Sequence, residues 1–246
     1  MIPKVIHYCW FGRREKPKLA KKCIASWKKY CPDYEIVEWN EDNFNISHND
    51  YTLFTYNHRL YAYLSDYVRL WAVEQFGGLY FDTDVELICS PQCLLENDSF
   101  FGFENDEYIN TGIGFGAKAH HPAVQAMKEA YDLKTIDGLN TDYNNWGHLT
   151  GSPKMNTRAL LPYGLLQNGK RQSICGAEIL SPDFFCPFDD VTGVLSITAN
   201  TIGIHWYMKS ANKALARVRS RFSRPLHRVI KYLRSQKGGN KSNDAR

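Results

Sequence analysis

An α/β fold built on a mostly parallel sheet is what this sequence predicts, and three observations predict it. Residues 5–11 form an unbroken apolar and aromatic run, the pattern of a strand buried on both faces. Residues 17–30 carry Leu19, Cys23, Ile24 and Trp27 at helical spacing, with lysines between them. Residues 34–39 then read as a second strand after the break at Pro32, which completes a strand–helix–strand unit with parallel strands. The 246 residues suffice for one large domain or two small ones. Hydrophobic residues at 43% and aromatics at 14% supply a core and argue against general disorder.

Each further element follows in chain order. Pro17 suits the first turn of its helix. Residues 40–57 are polar and read as a loop with about one helical turn. A long helix is expected over 59–76, ended by Gly77-Gly78 through the left-handed cap conformation. After the sequence F-D-T-D, strands are expected over 100–104 and 109–117, and a helix over 121–131 with His120-His121 at its start. Residues 132–175, rich in Asn, Gly and Thr, read as short helices and loops; strand-like pieces follow in 179–188 and 194–204. The run Gly112 to Gly116 lies inside a strand-like stretch with no helix opening after it, so it is not a dinucleotide-binding loop.

Charge divides the chain at about residue 208. Residues 209–246 carry twelve Lys or Arg against one acid, a net +11, while residues 1–208 carry −7. A globular domain over 1–208 with a basic tail over 209–246 is therefore expected, with a polyanionic surface as the tail's partner. Leu215, Val218 and Phe222, then Leu226, Val229, Ile230 and Leu233, keep helical spacing within the tail, and Pro225 separates the two sets. An apolar stripe in register favours an anionic membrane surface, bound through residues 209–237, over nucleic acid. Packing of the tail on the domain or on a partner is the alternative.

Seven cysteines include no C-x-x-C pair, and Cys89 and Cys93 lack a second pair or histidine that would complete a zinc set. Free thiols in a reducing compartment are expected. The N-terminus reads as a strand rather than a signal peptide, and no apolar run approaches the ~20 residues that span a bilayer. A cytoplasmic protein at the inner face of the membrane follows.

Asp82 and Asp84 make the strongest chemical statement. Two residues apart at the end of an apolar strand, they are expected to project from one side of an extended chain, a pairing suited to a hard divalent cation. The C-terminal edge of such a strand is where α/β sheets bind ligands. Asp66 and Arg69, three apart on the preceding helix, make an i,i+3 pair that on a surface would contribute little.

Three motifs occur in order: I-P-K-V-I-H-Y-C-W-F-G at 2–12, A-Y-L-S-D-Y-V-R at 62–69 and F-G-G-L-Y-F-D-T-D-V at 76–85. Together they resemble the family 32 glycosyltransferases, the DxD sugar-binding enzymes that include capsular-polysaccharide and mannosyltransferase-like members. The pattern is more distantly similar to the large clostridial glucosylating toxins. The resemblance covers residues 2 to about 120. It implies a single-domain A-type glycosyltransferase fold, Rossmann-like in its sheet, with a nucleotide-sugar donor, Mn²⁺ or Mg²⁺, and retention of anomeric configuration.

Residue by residue, the resemblance implies that Trp10 stacks on the nucleotide base, although a core residue at a strand end is the plain alternative. Ser65, Asp66 and Arg69 would hold the sugar nucleotide, Tyr80 would line the donor site, and Asp82 and Asp84 would bind ribose, sugar and metal. The segment Asn110-Thr111-Gly112 resembles the family's short segment near the transferred sugar, and His205 and Trp206 would close over the diphosphate. His205 as third metal ligand stands beside a structural histidine as its alternative. The expected function is transfer of a hexose to a surface-polysaccharide or lipid-linked glycan acceptor. A toxin-like protein glucosyltransferase, a nucleotide-sugar hydrolase and a non-catalytic sugar-binding module are the alternatives.

Overall fold

The computed structural model describes residues 1–131 and 151–208. The first turn of the chain around the sheet uses β1 (Val5–Cys9), α1 (Lys18–Tyr30) and β2 (Glu35–Trp39). Next come α2 (Asp50–Asn57), α3 (Tyr61–Phe76), β3 (Gly78–Tyr80) and β4 (Val85–Leu87). Then follow β5 (Ser99–Gly102), β6 (Phe115–Ala117), α4 (Pro122–Glu129) and α5 (Ser152–Leu160). The described residues end with β7 (Gln172–Ile174), β8 (Ala177–Leu180), β9 (Phe188–Asp189), β10 (Val194–Leu195) and β11 (Gly203–His205).

Seven of these strands form one sheet in the order β2-β1-β3-β6-β5-β8-β7. β1 pairs in parallel with β2 and β3, and β5 with β8, whereas the β3–β6, β5–β6 and β7–β8 ladders are antiparallel. Five strands therefore point one way, and β6 and β7 run against them. The mostly parallel sheet is present, with two reversed strands that apolar pattern alone does not distinguish. A separate two-strand ladder pairs β11 with β4, His205 opposite Val85.

Side-chain alternation fills both faces of the sheet. Tyr80, Phe101 and Phe115 turn toward the α3 face and join Leu64, Val68 and Met127. Leu79, Phe81 and Phe100 turn the other way and join Ile6, Cys23 and Trp27. Trp27, fully buried, donates its indole N–H to Val85 O at 2.8 Å and so ties α1 to the strand that leaves the two acids. Burying side chains of this size stabilises by about 1.5–3 kcal/mol each. All seven cysteines are free. Among the described residues no helix is long and apolar enough to cross a membrane. The basic tail, its two expected helices and its membrane contact lie outside the described residues.

Three local expectations change. The loop expected over 40–57 contains α2, started by a capping box in which the Asn49 side chain and Thr52 N–H pair, as do Thr52 Oγ1 and Asn49 N–H. Helix α3 ends as expected, but Gly77 takes φ 65° and ψ −170°, an extended glycine conformation rather than the left-handed cap. A Cβ there would lie 2.9 Å from Ala119 N, so the chain passes too close for any other residue. The strand expected over 109–117 shrinks to β6, because Gly112 N–H bonds Asn110 Oδ1 at 2.7 Å and folds the preceding residues into a turn. His121 caps α4 as expected, accepting from Ala123 N–H.

Candidate active site

The two acids sit on a turn. Phe81 N–H still bonds His7 O, extending the β1–β3 pairing, but Asp82 N–H turns to Gly112 O at 2.9 Å. Val85 N–H then bonds Asp82 O at 3.0 Å, closing a β-turn over residues 82–85. The expectation of an extended chain with both carboxylates on one side is thereby corrected. Around the turn, Asp82 faces helix α3 and Asp84 faces strand β11.

Arg69 organises the α3 side. Its Nη2 lies 2.9 Å from Asp66 Oδ1, and 3.1 and 3.3 Å from the two oxygens of Asp82. Nε donates to Ser65 O at 3.3 Å, and Nη1 approaches Thr111 Oγ1 at 3.5 Å. The guanidinium lies 5.1 Å over the Tyr80 ring, whose hydroxyl donates to Asp82 Oδ1 at 2.9 Å. With Arg69 only 4% exposed, its pairing with Asp66 is not the weak surface contact that i,i+3 spacing alone suggests. One buried cation holds two partly buried carboxylates, so both acids stay partly uncompensated.

Burial raises the Asp66 carboxyl, Arg69 opposes it, and the balance leaves its pKa at about 7. Asp82 is raised for the same reason. An acid raised on folding contributes stability that is complete below its ordinary value and is lost as pH climbs through about 7. Unfolding free energy of the wild type is therefore expected to fall between pH 5 and pH 8 by up to about 2.7 kcal/mol more than that of Asp66→Asn. Urea titrations of both proteins at each pH measure this, and parallel curves would contradict it.

On the other side, Asp84 Oδ2 accepts from Met208 N–H at 2.7 Å, and Asp84 O accepts from Trp206 N–H at 3.0 Å. Asp84 Oδ1 and His205 Nε2 are 3.5 Å apart, longer than an ordinary hydrogen bond. His205 Nδ1 is buried without a hydrogen-bond partner among the described residues. Burial would raise Asp84 and lower His205, but each group's charge outweighs this for the other. The carboxyl is held below its usual range and the imidazole well above.

The donor set fits a divalent cation in kind, since a carboxylate and an imidazole 3.5 Å apart can both reach one ion at ~2.1 Å each. The expected ligands Asp82, Asp84 and His205 do not converge as a set, however. Among the described residues no three His, Cys, Asp or Glu side chains group closely enough to hold an ion. The physical reason is that Arg69 and Tyr80 turn Asp82 toward α3.

Residues 17–101, which contain the Asp66–Arg69 pair and both acids of the turn, match the family described as the glycosyltransferase sugar-binding region containing the DXD motif. Over that region the chain resembles a glycosyltransferase. It is 26% identical over 134 residues to inositol phosphoceramide mannosyltransferase 3 of Schizosaccharomyces pombe, a match covering 52% of this chain and 36% of the relative. The chain thus spans about a third of the length of that curated relative. Among solved structures it is similar to the PaToxG glycosyltransferase, with TM-score 0.47, 17% identity and coverage of 65% of this chain and 69% of that one. It is also similar to a glycosyltransferase involved in glycosylation of the major capsid of PBCV-1, with TM-score 0.44, 13% identity and coverage of 85% and 96%.

The other expected site residues take varied positions. Tyr80 is fully buried, so it does not line a donor site directly but acts through Asp82. Ser65 turns its hydroxyl to Tyr61 O at 2.9 Å, leaving its backbone carbonyl for Arg69. Trp10 lies just past β1, at the same sheet edge as the acids, half-buried with its indole N–H on Arg14 O and Lys16 5.7 Å over its ring. The Trp206 indole points away from the acids, donating to Glu86 Oε2 at 2.8 Å beneath Lys22. Asn110 sits within reach of the Arg69 clamp, its Oδ1 held by Gly112 N–H.

Three further residues complete the constellation: Thr111 and Gly112 belong with Asn110 to the segment that the resemblance places near the transferred sugar, whereas Asn156 is singled out by nothing in the sequence reading. At Gly112 a Cβ would lie 2.2 Å from Asp82 Oδ2 and 2.9 Å from Arg69 Nη1, so only glycine lets the backbone run against the clamp. Thr111 reaches Arg69 and also accepts from Asn156 Nδ2 at 2.9 Å. Asn156 comes from α5, within a stretch whose weak periodicity marks no buried face. Its only local signal is the Gly-Ser-Pro start of that helix.

Proposed function

We propose that this chain is a metal-dependent, retaining glycosyltransferase that moves a hexose from a nucleotide sugar to a surface-polysaccharide or lipid-linked glycan acceptor. The observation that carries the reading is the buried Arg69 clamp on Asp66 and Asp82, set beside the Asp84–His205 pair at one sheet edge. Carboxylates fixed by a guanidinium are pre-set acceptors for sugar and ribose hydroxyls, and they need no reorientation when the donor arrives. Trp10 offers an aromatic face for the base, and Asn110 and Ser65 flank the sugar. Trp206 and its backbone N–H on Asp84 brace the far side of the cleft.

Asp84 and His205, 3.5 Å apart, would hold a Mn²⁺ or Mg²⁺ ion, while Asp82 stays with Arg69; when bound, the ion would offset charge on the leaving nucleoside diphosphate. The relative's name supports mannose as the first hexose to test. Residues 1–208 would form the catalytic unit. Residues 209–246, with their +11 charge, would bring it to the anionic inner face of the membrane through 209–237.

A thermal-shift panel of nucleotide sugars with Mn²⁺ tests the reading. At a hundred times its Kd a true donor adds about 2.7 kcal/mol and raises Tm by roughly 5–10 °C. EDTA should remove most of that shift. A panel in which GDP-mannose, UDP-glucose and their relatives all leave Tm unchanged would overturn it.

A further inference from the structure

We infer that Asn156 is a positioning residue of the sugar-nucleotide site, acting through Thr111 on Arg69 and on the Gly112 backbone beneath Asp82. The inference rests on the glycosyltransferase reading above and adds a residue to it. Asn156 is fully buried, and its Nδ2 donates to Thr111 Oγ1 at 2.9 Å and Ser152 Oγ at 3.0 Å, which uses both amide hydrogens. Thr111 is also fully buried, and its hydroxyl lies 3.5 Å from Arg69 Nη1. The next residue, Gly112, supplies the carbonyl that holds Asp82 N–H at 2.9 Å. A single amide on α5 therefore braces the inner edge of the guanidinium and the main chain under the first acid of the turn.

Two further observations favour positioning over simple packing. Thr157, next along α5, accepts Ile109 N–H on its Oγ1 at 2.8 Å, so the helix grips the 109–112 segment at both ends. Asn156 Oδ1 is buried with no hydrogen-bond partner among the described residues. An unsatisfied buried acceptor is destabilising, and an apolar side chain of similar shape would avoid that penalty. An amide held under those terms is explained by what its Nδ2 positions.

The test compares Asn156→Leu, Thr111→Val, Thr111→Ser and the Leu/Val double variant in the full chain. The binding probes are GDP-mannose and UDP-glucose with Mn²⁺, followed by calorimetry; the ligand-free readout is hydrogen exchange at Asp82 and Gly112. Asn156→Leu and Thr111→Val should each weaken whichever probe the wild type binds by about tenfold, the effect of one ordinary hydrogen bond. Both should speed exchange at the two amides, while Thr111→Ser, which keeps the hydroxyl, stays near wild type. The double variant should be no worse than the poorer single, because both break one chain of contacts. Wild-type affinity in Asn156→Leu, multiplying losses in the double variant, or unchanged exchange at both amides would overturn the inference. A merely structural Asn156 would lower Tm without these effects. If the wild type binds neither probe, the donor reading fails for those sugars, and amide exchange alone decides whether Asn156 positions the clamp.

Discussion

Asp84→Asn is expected to cut glycosyl transfer by about 10³-fold while leaving the fold intact. Asparagine keeps an oxygen for Met208 N–H, which reaches Asp84 Oδ2 at 2.7 Å, so the local turn survives. What disappears is the negative charge beside His205. The imidazole, held protonated well above its usual range largely by that carboxylate, returns toward neutrality. The pair then offers one neutral donor where the proposed cation needs a carboxylate. Initial rates at saturating donor across a Mn²⁺ titration read the effect directly, with melting temperature as the control for folding. Turnover within tenfold of wild type at the same Mn²⁺ would remove Asp84 from the proposed machinery.

Arg69→Met should have the largest effect on stability. It leaves the partly buried Asp66 and Asp82 with no counter-charge, and breaking a fully buried pair costs about 3–5 kcal/mol, the upper bound here. The loss should be smaller at pH 5 than at pH 8. With its pKa at about 7, Asp66 is largely protonated at the lower pH and needs the cation less. Arg69→Lys keeps the charge but not the planar fork that reaches both acids, so it should fall between Met and wild type. Urea unfolding at the two pH values measures all three proteins. Equal losses at both would mean that Asp66 is not the group that Arg69 holds.

The sequence carried the frame of the molecule further than the details of its site. Leu19, Cys23 and Trp27 announced α1 because a surface helix must alternate lysines with a buried stripe, and that constraint is local. Asp66, Arg69, Asp82 and Asp84 were legible for the same reason, since each belongs to a short motif. The turn at Asp82 was not, because it depends on Gly112 O, thirty residues downstream, capturing an amide that an extended strand would have turned elsewhere. Nor was the true setting of Tyr80: its burial follows from β6 and α3 closing over it, which no pattern within β3 states. Asn156 lies furthest from reach, as its role exists only where α5 meets the 109–112 segment. The α2 capping box shows a different gap, for Asn49 and Thr52 were present as a signal, and a polar loop was the simpler reading of the composition.

The ladder between β4 and β11 has a consequence for how the enzyme comes into being. His205 arrives at Asp84 from 121 positions away along the chain, against the usual preference for early, local contacts. On a ribosome, the clamp of Arg69, Asp66 and Asp82 can assemble once α3, β3 and the Gly112 turn have emerged, but the His205 side waits until synthesis has passed residue 208. A nascent or prematurely terminated chain ending near residue 200 would hold the acids of the Arg69 clamp without the imidazole, and on the proposed reading would lack half of the cation pair. Timing of synthesis thus delays the complete proposed site until β11 docks.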